Sequence, residues 1–356
     1  MNTEKLHRWQ PYLPNRKAKN NMNVTIKDIA RIANVSHTTV SRALNNSPFI
    51  KQETRIKIQA LAKEMNYLPN YNARSLVLDK SYNIGLFFST LNRGTSPDFF
   101  YNTVQGVLHG VGDKYNVIIK GVDTYKDLSS FNHKSFDGII IMSQSLNDNA
   151  FIYKAKEKKI PLVVLNRQIE DSEIPNIVSN DYTGALAAVE HLVHLGHRRI
   201  AFIEGKQGFK ASEKRKQGYL DVLINQNIPI NKQFIIQGNY DIESGYLAMK
   251  QLLKLTKVPS AVFCSNDDMA IGSMKAIIEE GLQIPQDISV VGFDDNIASE
   301  FLSPALTTIK RDMTRISREG TKILLKLIDK QPIKQKKILL DATLIIRNST
   351  CVHLET

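Results

Sequence analysis

Short apolar runs alternate with amphipathic stretches from residue 82 to residue 356, and this alternation constrains the fold more than any other feature. The runs are strand-sized and apolar at nearly every position, so both faces of each strand must be buried. Buried strands separated by helices predict a parallel sheet covered on both sides. The predicted strands are YNIGLFF, NVIIKG, DGIIIM, PLVVLN, RIAFIEG, SAVFC and ISVVGF. The predicted helices lie in DFFYNTVQGVLHGV, GALAAVEHLVHL, KRKQGYLDVLI and DMAIGSMKAIIEE.

This region is longer than one doubly wound sheet needs, which predicts two α/β lobes with a ligand cleft at the carboxyl ends of the strands. Polar groups that bind hydroxyls and rings that cover an apolar face suit a polyhydroxylated ligand. Each candidate also has a structural alternative, such as a helix cap for Asn266, a turn for Asp294 or the core for Phe99. The candidates at strand ends and helix starts are Ser89, Phe99, Phe100, Asn166, Arg215, Tyr240, Asn266 and Asp294.

The N-terminal part of the chain follows another pattern, which predicts three short helices. Thr25 and Asp28 have the spacing of a capping box that opens the first helix. Asn34 tolerates the left-handed conformation that a sharp turn requires, and Ser36 is placed to cap the second helix. The third helix lies in KQETRIKIQALAKEMNY and ends before LPN.

The second of these helices has an unusual polar face. In VSHTTVSRALNNS, the residues Val40, Ala43 and Leu44 form an apolar face. A helix that needs solubility alone carries Lys and Glu on its wet side. Here the polar face consists of His37, Thr38, Ser41, Arg42 and Asn45. Two short helices with a tight turn have the proportions of a helix-turn-helix, whose second helix enters the DNA major groove.

The distribution of charge supports a nucleic-acid partner. Residues 1–80 hold 14 Lys and Arg against 5 Asp and Glu, whereas residues 81–356 hold 33 against 30. A basic end of this kind fits a polyanion, of which nucleic acid is the commonest. A basic solubility tail would explain residues 1–21, but the excess continues into the helical region.

Several motifs in the same order resemble the lactose-repressor-type (LacI/GalR) family of bacterial transcription regulators. They are VTIKDIARIANVSHTTVSRALNNS, TRIKIQALAKEMNYLPNYNARSL, SNDDMAIG, ISVVGFDD and PALTTIKRD. The resemblance covers essentially the whole chain after Met22. Residues 1–21 lie outside it and form an extension that is either an added, disordered arm or not translated. We favour a translation start at Met22.

The resemblance implies a fold and a mode of DNA binding. The expected fold is an all-α helix-turn-helix domain (residues 22–69), a hinge helix (residues 70–81) and a two-lobed α/β core (residues 82–356) that is periplasmic-binding-protein-like and has parallel sheets. Two hinge helices would order on a roughly palindromic operator, which implies a homodimer. Leu76 matches a side chain wedged into the minor groove. We expect DNA contacts from Thr25, Ser36, His37, Thr38, Thr39, Ser41, Arg42, Asn45 and Leu76.

The resemblance also assigns roles to the cleft candidates. Arg215 matches an arginine that grips the effector, Asp294 an acid that binds its hydroxyls, and Tyr240 a stacking aromatic. Asn266, Ser89, Phe99 and Phe100 match further contacts. Asn166 departs from the pattern, since many sugar-responsive members carry a carboxylate there. The unusual loop STLNRGTSPDFF adds Arg93, which favours an anionic or phosphorylated effector.

Other classes of protein find little support in the sequence. No apolar run reaches membrane-spanning length, no signal peptide is evident, and two cysteines are too few for a disulfide framework, so we expect a cytoplasmic protein without a membrane partner. No nucleotide-binding or nucleophile motif occurs, and we expect no cofactor. His191, His194 and His197 are three residues apart, so successive side chains would point in different directions around a helix, and we expect no metal site.

We therefore predict a transcriptional regulator and not an enzyme. It would repress carbohydrate-utilisation genes, with operator affinity controlled by a sugar or sugar phosphate bound between the lobes. The alternative is a cytoplasmic sugar-binding protein or sugar-processing enzyme whose basic N-terminus is incidental. The helix-turn-helix signature discriminates between the two.

Overall fold

The computed structural model describes residues 24–44, 46–65, 67, 80–92, 95–125 and 134–353. The described residues up to 67 belong to one compact unit, and those from residue 80 onward belong to a second.

The first unit is helical. Thr25 and Asp28 form the predicted capping box at its start, and Asn34 takes the left-handed conformation (φ 53°) that ends the first helix. Ser36 caps the next helix, because its hydroxyl accepts a hydrogen bond from the Thr39 amide at 3.1 Å. The helices are α1 (Ile26–Ala33), α2 (His37–Leu44) and α3 (Gln52–Glu64).

A small apolar core holds these three helices together. Ile29 of α1, Val40 of α2 and Ile58 of α3 are almost completely buried against one another. The apolar face predicted for α2 therefore packs inward, and its opposite face is turned to solvent. Arg55 fixes the connection between α2 and α3, since its guanidinium donates to the carbonyl oxygens of Ser47 (2.9 Å) and Ile50 (3.2 Å).

The second unit is an α/β core. Its strands are β1 (Asn83–Phe88), β2 (Asn116–Gly121), β3 (Gly138–Met142), β4 (Leu162–Leu165), β5 (Asn176–Ser179), β6 (Ile200–Glu204), β7 (Ile235–Gln237), β8 (Ala261–Cys264), β9 (Ser289–Val291), β10 (Thr308–Lys310), β11 (Lys337–Leu340) and β12 (Thr343–Ile345). Its helices are α4 (Pro97–Val111), α5 (Asn149–Glu157), α6 (Asp181–His194), α7 (Lys210–Asn225), α8 (Ile242–Leu253), α9 (Asp267–Glu279), α10 (Ile297–Phe301) and α11 (Met313–Ile328).

The strands form two parallel sheets, one in each lobe. The first lobe has the order β11-β5-β4-β3-β1-β2, with α4 and α11 on one face and α5 on the other. The second lobe has the order β7-β6-β8-β9, with α8 and α9 on one face and α6 and α7 on the other. Successive residues of each central strand enter opposite apolar cores, which is why the strands are apolar throughout. This confirms the predicted fold class.

The chain passes between the lobes after β5, after β10 and after β11, so that three short segments connect them. The strand β10 pairs antiparallel with β12 beside the second lobe. Residues that follow β4 of the first sheet and β8 and β9 of the second line one cavity, so the carboxyl ends of the strands of both sheets converge on one cleft.

His197 lies at the opposite, amino-terminal edge of the second sheet. Its ring nitrogens contact the hydroxyls of Ser260 and Ser289 at 3.0 Å, and its ring stacks on His353. Burial, with a smaller contribution from His353, lowers the pKa of His197 to about 4. The folded protein thus holds this histidine neutral.

Acid should weaken the fold through this residue. The unfolded chain takes up a proton near pH 6.5 and the folded chain does not, so the stability linked to His197 is present above pH 6.5 and is lost as the pH falls toward 4. Between pH 7 and 5.5 the loss is about 1 kcal/mol. Urea unfolding of the wild type and of His197→Gln at both pH values measures it. Equal pH dependence of the two proteins would contradict this role.

Candidate functional site

A small polar cavity lies in the cleft at the carboxyl ends of the strands. Its volume is about 30 Å³. Two wider cavities adjoin it, one sharing Asn166 and Ala211 and the other sharing Phe209. The residues that line the small cavity are Ser96, Phe99, Gln144, Asn166, Phe209, Ala211, Arg215, Tyr240, Asn266, Asp294 and Arg311.

Several residues of this cavity have an unusual backbone. Asn166, Tyr240 and Asp294 have φ values of 71°, 62° and 119°, a region that residues with a side chain seldom occupy. Asn166 follows β4 and Asp294 follows β9, so the turns that end these strands are strained at the cavity. Such conformations persist where the surrounding structure fixes them, and they cluster at binding sites.

Arg215 is the most deeply buried charge of the cavity, with 1% of its surface exposed. Its guanidinium lies 3.3 Å from Oδ1 of Asp181 and 3.8 Å from Oδ1 of Asp294, and it donates to the Ser265 carbonyl oxygen. It also lies 3.7 Å from the ring centroid of Phe293. Burial opposes its charge, but the carboxylates outweigh burial and raise the pKa of Arg215.

Arg311 is a second buried arginine, and the sequence analysis did not single it out although it stands in the quoted motif PALTTIKRD. Its guanidinium donates to Oδ1 of Asn166 at 2.9 Å and pairs with Oδ1 of Asp294 at 2.8 Å. It also lies 5.6 Å from the ring centroid of Phe99. Its sequence signal is weak, because Arg311 follows β10, a strand that was not predicted.

The sequence left open whether Asn266 caps a helix or lines the cleft, and in the structure it does both. Its Oδ1 accepts from the Met269 amide at 3.0 Å and caps α9, while its Nδ2 donates to the Tyr240 carbonyl oxygen at 3.1 Å. This second bond ties the turn before α8 to the start of α9. Asn266 thereby positions Tyr240 as well as lining the cavity.

Asp267 anchors the loop that carries Asp294. Its carboxylate accepts from the Asn296 amide, from the Ser299 hydroxyl (both 2.8 Å) and from the Thr308 hydroxyl at 2.5 Å. Burial, and next the charge of Asp294, raise the pKa of Asp267 to about 8. These donors join α9, α10 and β10 around one buried acid, which fixes the loop behind the cavity.

Two more acids lie near Asp294. Burial first, and then the charge of Asp294, raise the pKa of Asp268 to about 6. The same two causes raise the pKa of Asp98. Asp98 belongs to α4 of the first lobe and Asp268 to α9 of the second, so acids from both lobes lie near Asp294.

Two predicted effector residues lie away from the small cavity. The Ser89 hydroxyl donates to Asp148 at 2.6 Å, in a buried network of the first lobe, and Ser89 borders one of the wider cavities instead. Phe100 packs on Phe88, with ring centroids 5.2 Å apart, against the apolar core. The structure thus brings together Phe99, Asn166, Arg215, Tyr240, Asn266 and Asp294.

Two polar atoms of the cavity residues are buried and have no hydrogen-bond partner among the described residues. They are the Tyr240 hydroxyl and Nε of Arg215. Burying an unpartnered polar group costs about 1–3 kcal/mol. Burial also raises the pKa of Tyr240 to about 12, so its hydroxyl stays protonated and can donate as well as accept.

The candidate DNA-binding residues lie on the solvent side of the helical unit. His37, Thr38 and Arg42 of α2 are exposed, as are Thr25 and Ser36 at the helix starts, while Thr39 and Ser41 are half-buried. The Ser36 and Thr39 hydroxyls contact each other at 2.9 Å, which orders the start of α2. Asn45, Leu76 and Arg93 lie outside the described residues.

The described residues contain no group of three or more His, Cys, Asp or Glu placed to hold a metal ion. His191 contacts the Thr350 hydroxyl at 3.0 Å and His197 contacts two serines, so both have structural partners. No helix in the described part of the chain combines the length and apolar character needed to cross a membrane.

A helix-turn-helix with an exposed polar second helix, joined in one chain to a two-lobed core with a polar cleft, defines a ligand-responsive DNA-binding regulator. Comparisons with known families agree. Residues 25–70 match the bacterial regulatory proteins of the lacI family, and residues 189–350 match a periplasmic binding protein-like domain.

Similar proteins extend over nearly the whole chain. It is 53% identical over 326 residues to the probable HTH-type transcriptional repressor ExuR of Bacillus subtilis (strain 168), covering 92% of this chain and 98% of that relative. It is 34% identical over 331 residues to the ribose operon repressor of Haemophilus influenzae, covering 91% and 98%. The chain belongs to the LacI family of bacterial transcription regulators. This membership confirms the prediction of a transcriptional regulator rather than an enzyme.

A solved structure of a related repressor has the same fold. The lac repressor dimer bound to operator and the anti-inducer ONPF superposes with a TM-score of 0.78 at 30% identity, covering 92% of this chain and 99% of that one.

The exposed Arg42 provides a test of the DNA-binding face. We expect Arg42→Ala to weaken specific operator binding by about 1–3 kcal/mol, because an arginine in the major groove makes paired hydrogen bonds to guanine. Fluorescence anisotropy with an operator duplex, selected by the wild type from a random library, measures the loss against random DNA. Arg31→Ala is the control, since Arg31 is an exposed arginine of α1 that pairs with Asp28. Equal losses on operator and random DNA would make Arg42 a phosphate contact.

Proposed function

We propose that this protein represses carbohydrate-utilisation genes and that a sugar or sugar phosphate, bound in the cleft between the core lobes, controls its affinity for the operator. The cavity carries this proposal: guanidinium, carboxylate and amide groups converge there with aromatic rings at the junction of two lobes. Relatives named for a ribose operon and for the lac system support the sugar class.

On the DNA side, the exposed face of α2 supplies the base contacts. Thr25 and Ser36 at the helix starts, with His37, Thr38 and Arg42, form its contact surface. We propose Asn45 and the hinge residue Leu76 as further DNA contacts. We further propose a homodimer on a roughly palindromic operator, with residues 22–69 as the DNA-binding domain and residues 70–81 as the hinge. We also propose that the protein is cytoplasmic, because the operator DNA of a bacterium lies in the cytoplasm.

On the effector side, each group has a distinct task. Asp294 accepts hydrogen bonds from the ligand's hydroxyls, the Asn166 amide accepts or donates them, and Phe99 and Tyr240 cover the apolar face of the ring. The unpartnered atoms of Tyr240 and Arg215 gain partners when the effector binds. Two guanidinium groups also suit a phosphate or carboxylate substituent.

A panel of compounds tests this function. The operator complex, formed at fixed salt, is titrated with D-ribose, D-glucose, D-galactose, D-ribose 5-phosphate, D-glucose 6-phosphate and D-glucuronate, and anisotropy follows release. We expect one compound to change operator affinity about fivefold or more. Binding without preference over random DNA, and without response to any sugar of a widened panel, would contradict the proposal.

Tyr240→Phe tests the site itself. The variant removes a buried hydroxyl that has no partner in the described structure, so we expect stability about 1–3 kcal/mol above the wild type and wild-type operator binding without effector. The affinity of the panel compound should fall about 3–10-fold, because a hydrogen bond is lost in the complex alone. Isothermal titration calorimetry measures it.

Tyr219→Phe is the matched control. The Tyr219 hydroxyl donates to the Ile200 carbonyl oxygen at 2.9 Å in the core of the same lobe. This variant should lose about 1 kcal/mol of stability and keep its effector affinity. The reverse pattern, with Tyr219→Phe impairing effector binding and Tyr240→Phe not, would place the effector elsewhere.

A further inference from the structure

We propose that Arg311 couples the effector site to the orientation of the lobes. Its side chain links the two lobes directly inside the cavity, and the effector acts by taking over the partners of this side chain. This inference rests on the proposed function and adds the residue through which the site exerts control.

The contacts of Arg311 reach both lobes. Nη1 donates to Oδ1 of Asn166, which follows β4 of the first lobe. Nη2 and Nε bind Oδ1 of Asp294, which follows β9 of the second lobe, at 2.8 and 3.1 Å. With 7% of its surface exposed, Arg311 holds this bridge away from water, where such bonds are strongest.

The position of Arg311 in the chain suits a coupling role. It lies between β10, which pairs beside the second lobe, and α11, which packs on the first. A change in the relative orientation of the lobes must alter backbone torsions in these crossing segments. A side chain mounted there moves with that change.

Competition for the partners of Arg311 follows from the crowding of the small cavity. Its volume of about 30 Å³ is room for a water molecule or two, so a hexose would also have to extend into the wider cavities that adjoin it. Asn166 and Asp294, the residues expected to bind hydroxyls, are also the partners of Arg311. An effector that binds them must displace the guanidinium or bring its own group to it.

Asn166 gains an explanation from this bridge. Its Nδ2 donates to the Ser143 carbonyl oxygen at 3.1 Å, which leaves Oδ1 for Arg311. The Lys210 amide also crosses the cleft, donating to the Gln144 carbonyl oxygen at 3.0 Å, but a backbone bond cannot distinguish one effector from another. In the Arg311 bridge, the atoms that hold the two lobes together are also the atoms expected to contact the effector.

Arg311→Gln tests the coupling. The measurement is the ratio of operator dissociation constants with and without a saturating amount of the panel compound that acts on the wild type. We expect this ratio to fall from about fivefold or more to within about twofold of one. Calorimetry should still detect the compound on the free variant, because Arg215, Tyr240 and Asn266 remain.

Lys310→Gln is the matched control. It removes one positive charge from the neighbouring residue, whose side chain is 57% exposed and 3.7 Å from Asp295. Its ratio should equal that of the wild type. A wild-type ratio for Arg311→Gln, or an equal fall for Lys310→Gln, would overturn the proposal. If Arg311→Gln does not fold, Asn166→Ala, which removes the first-lobe acceptor alone, carries the same expectation.

A second measurement needs no effector. In a double-mutant cycle of Arg311→Gln and Asn166→Ala, we expect the unfolding equilibrium constants in urea to depart from multiplicativity by about threefold or more. Multiplicative effects would overturn the bridge. A wild type that responds to no panel compound would instead contradict the proposed function, and the cycle would still decide whether the bridge exists. If neither single variant folds, Asn166→Ser paired with Arg311→Lys replaces them in the cycle.

Discussion

A buried charge network in the cleft is the interaction on which the rest of the core depends. Arg215 and Arg311 both approach Oδ1 of Asp294, and Arg215 also pairs with Asp181. Removing one partner of such a network leaves an uncompensated buried charge, at a cost of about 3–5 kcal/mol. Arg215 stands on α7 and Arg311 follows β10. Their partners Asn166, Ser265 and Asp294 follow strands of the two parallel sheets, so the packing of the lobes positions the groups that pair these charges.

Much of this architecture could be predicted from the sequence, because its signals are local. The runs that form β1, β3, β6 and β8 are apolar at nearly every position, and the structure confirms them. The strands β5, β7, β10, β11 and β12 were not predicted, since each is short and includes a polar residue, so that no continuous apolar run marks it. The helix α11 was also missed, although its apolar face supplies much of the first core.

The cleft shows the same division. Residues that follow predicted strands, such as Asn166 and Asp294, lie at the cavity as expected. Ser89 also follows a predicted strand, but its hydroxyl binds Asp148, which is distant in the sequence. Phe100 stands at a helix start, but its ring packs on Phe88 in the apolar core. Arg311 was missed because it follows an unpredicted strand, and its importance comes from three contacts across more than 10 residues of sequence each.

The central claim is that effector binding in the cleft and operator binding by the helical unit are coupled by one free energy. Such coupling acts equally in both directions, so measuring both directions tests the claim most directly. Calorimetry would measure the affinity of the active panel compound for the free protein and for the protein saturated with operator. The account predicts that operator changes this affinity by the same factor by which the compound changes operator affinity. Identical affinities for free and operator-bound protein, beside a clear release of operator, would show that the site titrated by calorimetry is not the site through which the compound releases operator.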